Sequence, residues 1–373
     1  MNEIKSIKIT ILTPVHIGSG VKLKKGIDFF IKKDKFGVVD DKKILSIIGE
    51  DQIGIWVSAI DKGESILPYI EKRKPGYKLT DISKRVYPLT STSGTKDARE
   101  MMHTPLGNPI IPGSSLKGAI RTALWDKYGD ANIKLDDIIN IWHGNISYKD
   151  KNLSKKIFGK NPNKDILRFL QITDAIFHND NCGKVEVVNV LTLKNDGWKI
   201  KHFEEYAECI SPESNADFRI KIAKDTLIKN INKNFIKNDN KTNSLQSISG
   251  LFSICNDYYK KMLDKEIEFF KQDIDLKNDE KLDKYLSILK ELRNTAENLK
   301  NGCILRLGHG TGYRFMTGNK IDSENIKDDD FKQILKNIRK DWRGRYDDWL
   351  FIKSRKMTKN GMPLGFVKLT IYN

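Results

Sequence analysis

The hydrophobic period of this chain changes along its length, and that change is what most narrows the folds open to it. Near the start, "IKSIKITILTPVHIGSG" places apolar residues at Ile7, Ile9 and Ile11, the two-residue period of a half-buried strand that runs into a glycine loop at Gly18 and Gly20. From about 223 to 300 the period lengthens. Tyr285, Ile288, Leu289, Leu292, Ala296 and Leu299 recur at helical spacing, and Gly302 is placed to end that helix. The chain then returns to strands through "CILRLGHGTGYRFMTG" and, after a charged helical segment around Trp342 to Trp349, a closing "LGFVKLTIYN". This pattern predicts an α+β chain with a helical insertion. Its 373 residues, 39% of them hydrophobic, suffice for one large domain with insertions or for two domains.

Between the first strand and the insertion the signals are local. "GIDFFIKKDKFGVVD" reads as a hairpin turning near Asp34 to Gly37, and residues 42 to 82 read as helical. "YPLTSTSGTKDAREMMHTPLGNPIIPG" is polar and rich in Pro and Gly, which predicts a long surface loop. That loop delivers the chain to "IPGSSLKGAIRTAL", a helix in which Ser114 is placed to cap and Leu116, Ile120, Ala123 and Leu124 form the inward stripe. "ILRFLQITDAIF" predicts a buried strand ending at Asp174, and "ADFRIKI" another. Between them, alternation on both sides of Asn195, Asp196 and Gly197 is a strong hairpin signal.

Composition then restricts function. Lys and Arg number 66 against 49 Asp and Glu, a net charge of +17, which favours a polyanionic partner such as nucleic acid or an anionic membrane. The basic residues are spread over strands, loops and helices rather than gathered on one amphipathic face, which weighs against a membrane surface. No apolar run approaches the ~20 residues of a membrane span, and the N-terminus lacks a signal-peptide pattern, so a cytoplasmic protein is expected. Cys182, Cys209, Cys255 and Cys303 form no CxxC pair and read as reduced thiols. His178 and Cys182 have a spacing a metal could use but lack a second pair, and no other histidine shows metal-ligand spacing; no metal or cofactor is expected.

Three constellations could carry chemistry. In "LGHGTGYRFMTG", Gly308, Gly310 and Gly312 let the backbone approach an anion around His309 and Thr311, with Arg314 adding a charge; the alternative is a tight turn between strands. The hairpin tip "KNDGWKIK" sets Trp198 among Lys194, Lys199 and Lys201, either as a wedge for stacking on bases or as a ring packed on its own sheet. The third is the helix start, where the amides of Ser114, Ser115 and Leu116 combine with Lys117 and Arg121 into an anion site. Gly118 lies between those cations at a cost of ~1 kcal/mol relative to Ala, so either the helix needs its backbone bare for a ligand or it packs closely on its own sheet. Asp28 and Asp174, beside strand ends, could serve acid–base work or cap turns.

"TPVHIGSG", "IPGSSLKGAIRTAL", "LRLGHGTGYRFMTG" and "PLGFVKL", in this order, resemble the RAMP superfamily of CRISPR proteins, and within it the fifth-subunit family of the type III-A Csm complex. The resemblance implies a ferredoxin-like, RRM-type βαββαβ core with a thumb hairpin at about 184–208. It divides the chain into a core over 1–222, a helical insertion over 223–300 and the rest of the core over 301–373. It implies a non-catalytic RNA-binding subunit that holds the 3' region of guide crRNA, ends the backbone filament beside the other RAMP subunits, and assists maturation by host nucleases that trim the guide. His16, Gly18, Ser19 and Gly20 would then lie beside the guide, Ser114, Ser115, Lys117, Gly118 and Arg121 would hold phosphates, and the glycine loop and thumb would complete the grip. RNA-cutting backbone subunits carry an Asp after the first strand followed by a Pro-Val type sequence; here Asp28 precedes "FFIKK", which argues against a cutting role. The rival reading from the same superfamily is a metal-independent endoribonuclease with His16 or His309 as general base.

Overall fold

The computed structural model describes residues 1–129, 155, 157–178, 182–194, 197–271, 279–315 and 354–372. The first alternating segment forms β1 (Glu3–Ile11), with Ile7, Ile9 and Ile11 buried. Numbering strands in chain order, β1 is the middle of a five-stranded sheet ordered β13 (Gly302–Arg306), β15 (Phe366–Tyr372), β1, β12 (Asn215–Ile222), β8 (Leu170–Ile172). Every pairing in it is antiparallel. The helix Gly113–Tyr128 contributes Leu116, Ile120, Ala123 and Leu124 to the core beneath this sheet, all of them buried as the stripe requires. The helix Ile248–Lys271 packs on β13, and Glu280–Asn298 packs on it in turn through Tyr285, Leu289, Leu292 and Ala296. These helices share the core of the sheet. Gly302 does not end the helix Glu280–Asn298. It opens β13, where a Cβ would come within 2.1 Å of the Leu369 carbonyl oxygen.

A second sheet runs β14 (Ser354–Thr358), β10 (Gly183–Lys194), β11 (Gly197–Ile210), β6 (Asp97–Met101), β2 (Gly18–Lys24). The antiparallel β10–β11 hairpin pairs up to Lys194 opposite Gly197, and much of its length is held in this sheet, by β14 on one side and β6 on the other. A third sheet, β3 (Phe29–Lys32), β4 (Lys35–Val39) and β5 (Ser83–Pro88), shares a separate apolar cluster with the helices Asp41–Ile48, Ile53–Asp61 and Leu67–Arg73. Its hairpin turns at Lys33 and Asp34, so Gly37 lies inside β4 rather than in the turn.

Residues 87–113 are not one long surface loop. They contain β6, a short β7 (Ile110–Ile111) that pairs with β9 (Ala175–Ile176), and the end of β5. The polar letters that suggested a loop are neutralised by other strands: Arg99 pairs with Glu205 on β11, and Glu100 with Arg85 on β5 of the third sheet. The strand expected to end at Asp174 is likewise shorter, since Ile166–Phe169 is a 3-10 turn before β8. The helical segment expected around Trp342 to Trp349 lies outside the described residues.

Candidate nucleic-acid interface

After β1 the chain crosses from the first sheet to the second, and this crossing is held by bonds from main-chain amides. Phe366 N donates to Thr13 Oγ1 at 2.9 Å, Gly365 N to the Pro14 carbonyl at 2.9 Å, and Ile210 N to the Val15 carbonyl at 2.8 Å. The next residue, His16, is 2% exposed, with Nδ1 2.6 Å from the Glu208 carbonyl. Its own carbonyl accepts the His309 amide at 2.8 Å. At Gly308, φ is +81° and a Cβ would stand 2.4 Å from the His16 oxygen, so the contact requires glycine. The rings of His16 and His309 meet edge to face at 5.6 Å. "HIGSG" and "GHGTG", far apart in sequence, are thus one clasp, with Gly18, Ser19, Gly20 and Gly308 exposed along its rim. Ser19 Oγ donates to Glu100 at 2.9 Å, and Gly20 has φ +94°.

Beneath the clasp lies a network of ion pairs. Glu205 takes His309 Nε2 and Lys356 Nζ, each at 3.1 Å, and Arg99 Nε at 2.7 Å. Burial opposes its charge, but these donors outweigh burial and lower its pKa to about 2. Glu208, fully buried, is held by Arg85 Nε at 2.8 Å and the Met101 amide at 2.8 Å. Both imidazole rings are engaged. His16 is lowered to about 4, chiefly by burial, and His309 Nε2 lies between Glu205 and Lys356.

The helix start is arranged differently from the expectation. Its N-cap is Pro112, and Ser114 makes no capping bond. The cap comes from Asp174, whose Oδ1 accepts the Gly113 amide at 2.8 Å, while Ser115 N turns to the Pro112 carbonyl at 2.9 Å. A carboxylate therefore already occupies the positive end of the helix. Asp28 similarly accepts the Lys24 amide at 2.8 Å and closes a turn. Lys117 Nζ donates to the Leu170 carbonyl at 2.9 Å, and burial lowers its pKa. Arg121 pairs with Asp165 at 2.9 Å and lies 3.9 Å over the Phe158 ring. Both cations are engaged because segments from residues 165–170 fold against this face.

Gly118 remains exposed, and a Cβ there would meet nothing within 4 Å. Close packing on its own sheet is therefore not the reason for this glycine. Next to it in the chain, the carbonyl of the buried Ala119 is reached by the buried Tyr259 hydroxyl at 3.4 Å, which also lies 3.3 Å from the carbonyl of Arg306 on β13.

Within the loop, a Cβ on Gly310 would meet Leu364 at 2.8 Å, Gly312 faces open space, and Thr311 is half-buried. Arg314 turns inward, with Nη1 2.8 Å from the Lys265 carbonyl and its guanidinium 4.8 Å over Phe269. In the hairpin, Trp198 pairs with Leu193 and Lys194 with Gly197 by register, and Lys199 is exposed; the side chains of Lys194, Trp198 and Lys201 lie outside the described ones. Sequence reading missed Lys22 and Lys24, exposed along the edge strand β2 beyond Gly20. Alternation around the buried Leu23 is the signal that could have found them. Among the described residues no group of three or more His, Cys, Asp or Glu could hold a metal ion, and no helix is long and apolar enough to cross a membrane.

The sequence matches the RAMP superfamily over residues 8–315. The CRISPR protein Csm5 of Methanocaldococcus jannaschii is 25% identical over 98% of this chain and 88% of its own length. Among solved structures, a chain of a type III-A Csm–crRNA–target RNA ternary complex superposes with a TM-score of 0.70 at 19% identity, covering 99% of this chain and all of that one. The crystal structure of T. onnurineus Csm5 gives 0.66 at 19% identity over 96% and 99% of the two chains. With the superfamily match running from β1 through the glycine loop, the chain belongs to the RAMP superfamily.

Proposed function

We propose that this chain is an RNA-binding structural subunit of a type III-A Csm effector complex, gripping the 3' region of guide crRNA through phosphate and backbone contacts without cutting it. The observation that carries this reading is the clasp of His16 and Gly308. It brings two glycine segments to one exposed rim of bare backbone that continues into the lysines of β2. Exposed amides and unpaired lysines suit a phosphate chain without reading bases. Near full-length likeness to Csm5 supports the assignment within the superfamily. The strand order β8-β12-β1-β15, with helices inserted after β1 and after β12, supports a ferredoxin-like βαββαβ core to which β13 adds an edge. The β10–β11 tip beyond Thr192, past the last β14 pairing, is the thumb in this reading.

A non-cutting role follows from the state of the histidines. A general base needs an accessible lone pair near its working pH; His16 is buried and His309 is held in an ion-pair network. The partners are guide crRNA, the backbone RAMP subunits whose filament it ends, and the host nucleases that trim the guide. The test is purification of the tagged chain from its native cell and sequencing of the RNA that comes with it. Guides enriched through their 3' portions, together with backbone subunits, are expected. RNA without guide enrichment, or no companion subunits, would contradict the reading.

A further inference from the structure

Whereas β13 is buried throughout, among the described residues the first sheet leaves one face of β1, β12 and the end of β15 exposed or half-buried. Its outward positions fall at alternate residues, and four of them are cations: Lys8 on β1, Arg219 and Lys221 on β12, and Lys368 on β15. Register places them in a diagonal row. Lys221 lies opposite Ile4, Arg219 opposite Ser6, Lys8 comes next on the middle strand, and Lys368 lies opposite Thr10. Each step moves two residues along the strands and at most one strand across, a spacing of about 7 to 8 Å. None of the four makes an ion pair with another described residue, and Lys8 and Arg219 are exposed. Asp217, opposite Lys8, is the one carboxylate at an outward position of these strands, and it takes a hydrogen bond from Tyr372. The Tyr372 side chain, opposite Ser6 on this same face, is 41% exposed.

We propose that this open sheet face is a second binding site, distinct from the clasp, for the backbone of a single-stranded nucleic acid. The proposal rests on the RNA-binding reading above and extends the path of the strand. An antiparallel sheet ordinarily carries mixed polar residues outward. Here the cations instead form a row with steps comparable to those between successive phosphates of an extended strand, and an aromatic ring beside the row offers a stacking platform. Lys368 is two residues past Phe366, whose amide bonds Thr13, and Gly365 accepts the Leu307 amide at the base of the glycine loop. Phe366 and its partner Arg306, at the same outward positions, are buried, so the open part of the face begins at Lys368 and runs toward Lys221.

The experiment titrates the full chain with oligouridine carrying a 4-thiouridine crosslinker, at several salt concentrations. Lys8→Gln, Arg219→Gln and Lys368→Gln should each weaken binding several-fold at low salt and reduce the salt slope by about 0.7. Tyr372→Ala should weaken binding at least about fivefold. In the wild-type chain, which needs no variant to fold, crosslinked peptides should include β15. RNA binding that persists with unchanged affinity and slope in these variants, and with no crosslink to β15, overturns the sheet-face site and leaves the clasp reading intact. A wild-type chain that binds no RNA overturns both. Variants that bind RNA normally but drop out of the assembled complex would assign this face to an acidic protein surface instead.

Discussion

Gly118 and Gly308 are both glycines beside a candidate ligand surface, and their surroundings give them opposite expected behaviour. Open space surrounds Gly118, so Gly118→Ala should stabilise the free chain by about 1 kcal/mol while weakening RNA binding, because the methyl stands where the backbone is to be approached. Gly308→Ala should destabilise by roughly 1 to 3 kcal/mol, since the left-handed φ and the His16 carbonyl both exclude a Cβ. Thermal melts paired with RNA titrations check each; stability unchanged in Gly308→Ala would show that the clasp does not depend on its glycine. His16 adds a pH dependence. Held near 4 when folded against 6.5 when free, it takes up a proton on unfolding anywhere between those values. The unfolded state then binds more protons, so stability is full above about pH 6.5 and falls toward pH 4, with about 3 kcal/mol from this residue. His103, also lowered to about 4, acts in the same direction. Melting temperature against pH should therefore decline below 6.5, and His16→Gln should flatten the decline; an equal slope in the variant would remove His16 as its source.

At the scale of elements, the helix Gly113–Tyr128 shows how local signals and distant partners divide the work. Its start, its inward stripe and its bare position were legible, because period and glycine are local properties. Its cap was not, because the ligand is Asp174, 61 residues further on. Asp174→Ala should cost about 1 kcal/mol and fray the first turn, whereas Ser114→Ala should be nearly neutral; denaturant melts of the two decide between the caps. The same limit explains Lys117, Arg121 and Arg314. Each read as a phosphate ligand from its spacing, and each is engaged by groups elsewhere in the chain, at Leu170, Asp165 and Lys265. It also explains β6, whose Arg99 and Glu100 read as loop residues until β5 and β11 supply opposite charges. The strands β1, β12 and β15 and the β10–β11 hairpin were legible since alternation beside a covered face leaves a two-residue period. The clasp itself was legible only as two glycine segments, not as their contact.

For the whole molecule, a net charge of +17 goes with exposed cations that, among the described residues, include those at the β2 edge and on the outer face of β1 and β12. Such a distribution favours long, sequence-independent contact with a polyanion, and its strength should depend steeply on salt. The central property of the chain is that it holds RNA without cutting it. The direct measurement is incubation of the purified chain with end-labelled guide precursor in EDTA, following both retention across a salt series and the length of the recovered RNA. A salt slope of about −0.7 for each phosphate held is expected, with RNA recovered at full length from the wild type. Defined cleavage products that disappear in His16→Ala or His309→Ala, or retention that does not respond to salt, would contradict it.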